Sequence, residues 1–144
     1  MNAPELNNEH LGTVELRIPS KPEWVAVARL AVAAIANRLP FSVEEIEDLK
    51  LAIAEACTIC IQQGSGIQTI DITCDAATTN LRVEVRDDRY RNLSAAGGAK
   101  RPTMSVAEGE GLGIFLIQAL MDNLEYNVDP QYGTELVMTK RVGA

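Results

Sequence analysis

Between Leu51 and Ile61 the chain reads L-A-I-A-E-A-C-T-I-C-I, a run whose only charge is Glu55. At about 100° per residue on a helix, Ile46, Leu49, Ile53, Cys57 and Cys60 fall on one stripe, which must face a core. Glu55 lies opposite that stripe. Its neighbours there are Leu51, Ala52, Thr58 and Ile59, whereas the earlier half of the helix carries Glu44 and Asp48 on the same reverse side. A helix that is apolar all round is covered on both sides. One side meets a sheet; the other, with Glu55 in it, requires a ligand, a lid or a partner. A carboxylate partly withdrawn from water suits a general base. A surface glutamate that reaches water past small alanines is the other reading, and the residues alone leave both open.

The flanking sequence sets this helix in an α/β pattern. Ser42 offers an N-cap and Glu45, three residues on, completes a capping box, so the helix is expected over residues 43–63 with Gly64 and Gly66 ending it. Residues 1–12 read as a polar, flexible leader in which His10 is a solvated tail residue, and residues 13–144 as a single domain. Residues 13–18 alternate and stop at Pro19, which predicts a strand exposed on one face. Ser20 is expected to cap a first helix, with Pro22 and Glu23 in its opening turn and apolar positions over residues 24–39. Strands are predicted at 67–74 and 80–86, joined by the polar turn 75–80 as a hairpin. Residues 87–110 lose periodicity and read as a lid-like loop. A third helix is expected at 114–121, then strands at 124–128 and 134–140 around the turn Asp129-Pro-Gln-Tyr-Gly133.

With 144 residues, 47% of them hydrophobic, the chain has material for one core and one domain. A net charge of −7 argues against direct binding to nucleic acid or an anionic membrane, so a protein or small-molecule partner is expected. No apolar stretch approaches the roughly 20 residues of a membrane span, and the start lacks a basic segment leading into an apolar one, so a cytoplasmic location is expected. Cys57, Cys60 and Cys74 are an odd number set in apolar segments. They read as buried small hydrophobes, because a redox C-x-x-C normally opens a helix and this one lies deep in a helical pattern.

Gly109, Gly111 and Gly113 precede the third helix, where bare backbone N–H groups and the helix dipole favour phosphate. An ordinary flexible loop at a helix start has the same composition. Asp87, at the end of an apolar strand, is a further polar group at an element edge.

Taken in order, these landmarks resemble the anti-sigma-factor serine kinases (RsbW type) of the GHKL ATPase superfamily over residues 14–142. E-I-E-D-L-K-L-A-I-A-E-A-C-T (from Glu45) resembles the family's N-box helix, G-E-G-L-G-I-F-L-I (from Gly109) its second glycine box, and G-T-E-L-V-M-T-K (from Gly133) its final strand. The resemblance implies a Bergerat-type α+β sandwich, a mixed and mostly antiparallel sheet with helices on one face. It implies ATP and Mg²⁺ as cofactors, with Glu55 as the base that activates a substrate serine and Asp87 as the adenine-binding aspartate. Gly109, Gly111 and Gly113 would cradle phosphate, Thr134 would lie near the adenine pocket, and residues 88–108 would form the ATP lid, with Lys100 or Arg101 serving a phosphate. It further implies a sigma factor and a STAS-domain anti-anti-sigma protein as partners, and a homodimer.

Two positions depart from the family pattern. Where the family's N-box has an asparagine that binds Mg²⁺, this chain has Ile59, which offers no oxygen; Gln62, about 4.5 Å further along the helix axis, would serve only a shifted ion. The family's Asp-x-Gly turn reads Asp87-Asp88-Arg89. The expectation is therefore a regulator that switches between protein partners with kinase activity weak or lost. The alternative is an active ATP-dependent serine kinase acting on the STAS antagonist.

Overall fold

A computed structural model describes residues 8–64, 66–90, 111–129 and 131–143. Five strands, β1 (His10–Pro19), β2 (Thr69–Ala77), β3 (Asn80–Asp87), β4 (Asn123–Asp129) and β5 (Gly133–Arg141), form one sheet in the order β1-β2-β3-β5-β4. Among the described residues all four pairings are antiparallel. Among the described residues the helices are α1 (Val25–Ala36), α2 (Val43–Ile61) and α3 (Gly111–Leu120), with a 3₁₀ turn at Pro22–Trp24 ahead of α1, and residues 88–90 after β3 are also helical.

Side chains alternate across a strand, so register decides which residues share a face. Leu16, Ile72, Val85, Leu136 and Tyr126 stand side by side across the five strands. Ile72, Val85 and Leu136 are buried in one core with Leu49, Ile53, Cys57 and Cys60 of α2. The next row, Arg17, Asp71, Arg86 and Glu135, lies on the opposite face. There Arg17 Nε pairs with Asp71 at 2.6 Å and Arg86 Nε with Glu135 at 2.6 Å. Charges of alternating sign keep this second face compatible with water.

Helix α2 is the central helix of the layer: α1 packs on it from one side and α3 from another. This explains its all-round apolar text. Leu49, Ile53, Cys57 and Cys60 are buried as the stripe requires, and Ile46 packs against the core edge. Of the four reverse-side neighbours, however, Ala52 and Ile59 are also buried, Thr58 is half-buried and only Leu51 is exposed. The second covering predicted for this helix is largely its neighbouring helices. All three cysteines are buried and free, and burial pushes the thiols of Cys57 and Cys74 up to about 12, so neither is a nucleophile at neutral pH.

Several boundaries move. β1 begins at His10, so residues 10–12 of the expected leader belong to the sheet, where the Glu9 carbonyl accepts the Thr78 N–H at 2.9 Å. Ser20 does not cap α1: its N–H donates to Gln68 O at 2.9 Å, and the turn at Pro22 starts from Lys21 with no side-chain cap. β2 runs on to Ala77 because Asp75 points to the charged face, where it accepts from the Thr13 hydroxyl at 2.7 Å, leaving a turn of residues 78–79.

The capping box forms as expected. Ser42 Oγ accepts the Glu45 N–H at 3.1 Å, and Glu45 Oε1 accepts the Ser42 N–H at 2.8 Å. Glu45 Oε2 also accepts the Gly143 N–H at 3.0 Å, tying the end of the chain to α2. The Ser42 N–H holds the Glu45 carboxyl below its ordinary value; slight burial opposes this and the Gly143 N–H reinforces it. A depressed carboxyl contributes stability above its unfolded value of 4.5 and loses it as pH falls through the folded one. Urea denaturation of Glu45→Gln should therefore show a loss of roughly 0.5 kcal/mol or less at pH 7, small because the pair is solvent-screened, that shrinks as the pH falls below the unfolded value.

Candidate functional site

The end of β3, the start of β5 and the first turn of α3 carry most of the residues singled out in the sequence. Asp87 is the last residue of β3 and is fully buried. Its Oδ1 accepts the Tyr90 N–H at 2.8 Å and its Oδ2 the Thr134 N–H at 3.1 Å. Arg89 Nη2 stands 3.3 Å from the same Oδ2. Buried carboxylates persist only where such donors replace water.

Gly133 makes this convergence possible. Its φ is +104°, and a Cβ there would lie 2.4 Å from Tyr90 N, 2.7 Å from Tyr90 Cα and 2.9 Å from Asp87 Oδ1. Only a residue without a side chain lets β5 start so close to the helical residues 88–90 that follow β3. Tyr90 is then fixed from the other direction: its hydroxyl donates to Glu135 Oε1 at 3.1 Å and its ring faces the Arg86 guanidinium at 5.7 Å. Neither Gly133 nor Tyr90 was expected at the site. The glycine before Thr134 was a usable signal; nothing in the sequence marks Tyr90.

Thr134 is buried, and its hydroxyl has no hydrogen-bond partner among the described residues. A buried hydroxyl without a partner costs free energy unless a ligand or water meets it. Beside it the Asp87 carboxylate is an acceptor. An acceptor and a hydroxyl side by side match the edge of a purine, whose exocyclic amine donates and whose ring nitrogens accept.

Gly111 and Gly113 lie inside α3 rather than ahead of it; Gly111 is exposed, and a Cβ there would meet nothing within 4 Å. The first N–H groups of a helix have no partner within it and carry partial positive charge. Gly109 and the lid residues Lys100 and Arg101 lie outside the described residues. At its other end α3 is held by Lys140 of β5, whose Nζ donates to Leu120 O at 2.7 Å and lies 3.8 Å from Asp48 of α2. The cation sits where the helix dipole favours it.

Glu55 is half-buried on α2, one turn before Ile59. Ile59 is 2% exposed, and a Cβ on Gly113 would lie 3.2 Å from its Cδ1. The isoleucine side chain thus fills the seam between α2 and the glycine turn of α3. Donors of a hard cation are oxygens, so a magnesium ion does not fit this seam. Gln62 is the exposed C-cap residue of α2. Among the described residues no helix is long and apolar enough to cross a membrane.

The family described as Histidine kinase-like ATPase domain matches residues 18–140, which include Glu55, Ile59, Asp87, the glycine turn and Thr134. "Serine-protein kinase RsbW" of Halalkalibacterium halodurans is 35% identical over 136 residues, covering 89% of this chain and 82% of that protein. The protein of the same name from Oceanobacillus iheyensis is 33% identical, covering 90% of this chain and 86% of its own length. That from Bacillus cereus strain AH820 is 34% identical, covering 93% and 88%. With an antiparallel five-stranded sheet, its helices layered on the core face, and these similarities along nearly its whole length, the chain belongs to the histidine kinase-like ATPase domain family, alongside the RsbW serine-protein kinases.

Proposed function

We propose that this chain is a cytoplasmic anti-sigma regulator that exchanges a sigma factor for a STAS-domain antagonist, with its phosphoryl transfer weak or lost. The observation that carries the reading is Ile59. Its hydrocarbon side chain is buried against Gly113, and by resemblance to the N-box it takes the position of the family's magnesium-binding asparagine. Metal neutralisation of the β- and γ-phosphates is central to phosphoryl transfer, so its loss weakens catalysis far more than folding or protein binding.

The base pocket supports retained nucleotide binding. In this reading Asp87 accepts the amine of adenine, the Thr134 hydroxyl meets a second polar atom of the ring, and Gly111 and Gly113 present N–H groups toward phosphate, with Gly109 and the lid completing the site. ATP, when bound, would supply the transferable phosphoryl group. Glu55, which by resemblance takes the place of the family's general base, favours a second reading, a working serine kinase in which it would take the proton of the antagonist's serine hydroxyl. Homodimerisation accompanies both readings by family resemblance.

Gel filtration of the chain with the sigma factor and STAS protein encoded in the same genome, with γ-labelled ATP present, separates these readings. The expected result is a complex with the sigma factor that the STAS protein dissolves, without label on its serine. Label transferred to that serine establishes the kinase, and binding to neither protein overturns both readings.

A further inference from the structure

Asp87 has two kinds of partner, and they are not equivalent. The N–H groups of Tyr90 and Thr134 are neutral and belong to backbone fixed by the Gly133 contact. The third, Arg89 Nη2, is cationic, 3.3 Å from Oδ2, on a side chain that curls back from two residues along the chain and keeps about a quarter of its surface exposed. A charge-assisted bond is roughly twice as strong as a neutral one. The amine of a purine is a neutral donor, and it approaches the carboxylate that the guanidinium already engages. The unpartnered, fully buried Thr134 hydroxyl beside that carboxylate points independently to a ligand at this place.

We infer that Arg89 is an internal competitor for the base-recognition carboxylate, so that the pocket at rest is partly self-occupied and a purine binds only as the guanidinium withdraws. The inference rests on the reading of Asp87 and Thr134 as a purine pocket, and it is separate from the seam at Ile59. An apparent dissociation constant rises by the inverse of the fraction of molecules in the competent state. A guanidinium that holds the carboxylate nine-tenths of the time therefore weakens base binding about tenfold.

Adenosine is the appropriate probe, since it carries no phosphate and engages neither the glycine turn nor a metal. Titrations followed by calorimetry would compare the wild-type chain with Asp87→Asn, Arg89→Lys, Arg89→Gln, Arg89→Gly and the double variant Asp87→Asn/Arg89→Gln, each checked for folding by its thermal melt. Arg89→Gln keeps a neutral donor on Asp87 and guards against loss of the fold in Arg89→Gly. The expected result is adenosine bound about tenfold more tightly by Arg89→Gln and Arg89→Gly than by wild type. Arg89→Lys, which keeps a cation, should stay near wild type, and the double variant should lose the gain. Equal affinity in wild type and Arg89→Gln, with Asp87→Asn still harmful, overturns the competitor and leaves the pocket standing. Weaker binding by Arg89→Gln also overturns it, because the guanidinium would then be recognising the base. If folded variants all fail to bind adenosine, or Asp87→Asn changes nothing, the purine pocket falls and the competitor with it.

Discussion

Replacing Ile59 with asparagine is expected to make ATP binding magnesium-dependent, with affinity rising at least about tenfold on adding magnesium and collapsing with EDTA. The amide oxygen would stand in the α2–α3 seam where the wild-type chain presents Cδ1 against Gly113. The same change should cost about 2–4 kcal/mol of stability, since it exchanges a buried hydrocarbon for a polar group with few partners in the resting state. That cost is survivable for a domain of ordinary stability, and it should shrink when MgATP is present because ligand stabilises the state it binds. Ile59→Val is the matched control. It removes a methylene, should cost roughly 1 kcal/mol, and should leave binding indifferent to magnesium. An Ile59→Asn protein that melts cooperatively yet shows no response to magnesium would mean that position 59 does not decide metal binding.

Gly133→Ala is expected to damage fold and pocket together. The added Cβ would lie 2.4 Å from Tyr90 N at a φ of +104°, a conformation that residues with side chains rarely adopt. The obstruction is backbone, so no rotamer change relieves it, and β5 must move away from the helical residues that follow β3. A cost of about 3 kcal/mol follows from strain plus overpacking, lowering the melting temperature on the order of 10 °C. Because Asp87 is held from both sides of this contact, adenosine binding should be lost even at temperatures where the variant remains folded. A melt within about 2 °C of wild type, by circular dichroism, would show that the close approach is not required.

The sheet was legible where local physics and tertiary structure agree. Alternation in β1, β2 and β3 and the Ser42–Glu45 box located four elements because their signals lie within a few residues of one another. Asp75 reads as a turn residue by composition, yet it belongs to β2, since its partners Thr13 and Arg82 come from neighbouring strands. Ile59 falls on the reverse side of a helical wheel because a wheel assumes a single covering layer. With helices packed on both flanks of α2, that residue is core. The family resemblance singles out Asp87 and Thr134, but their shared geometry depends on Gly133 passing within reach of Tyr90, a long-range contact with no local signature. Arg89 was visible as a departure from the family turn, and only the folded chain pairs it with Asp87.

Calorimetric titration of the wild-type chain with ATP, once in magnesium and once in EDTA, tests the central claim most directly. The predicted outcome is the same weak affinity under both conditions, as expected of a pocket that recognises the base while Ile59 leaves no donor for the ion. An affinity that rises tenfold or more with magnesium would contradict it.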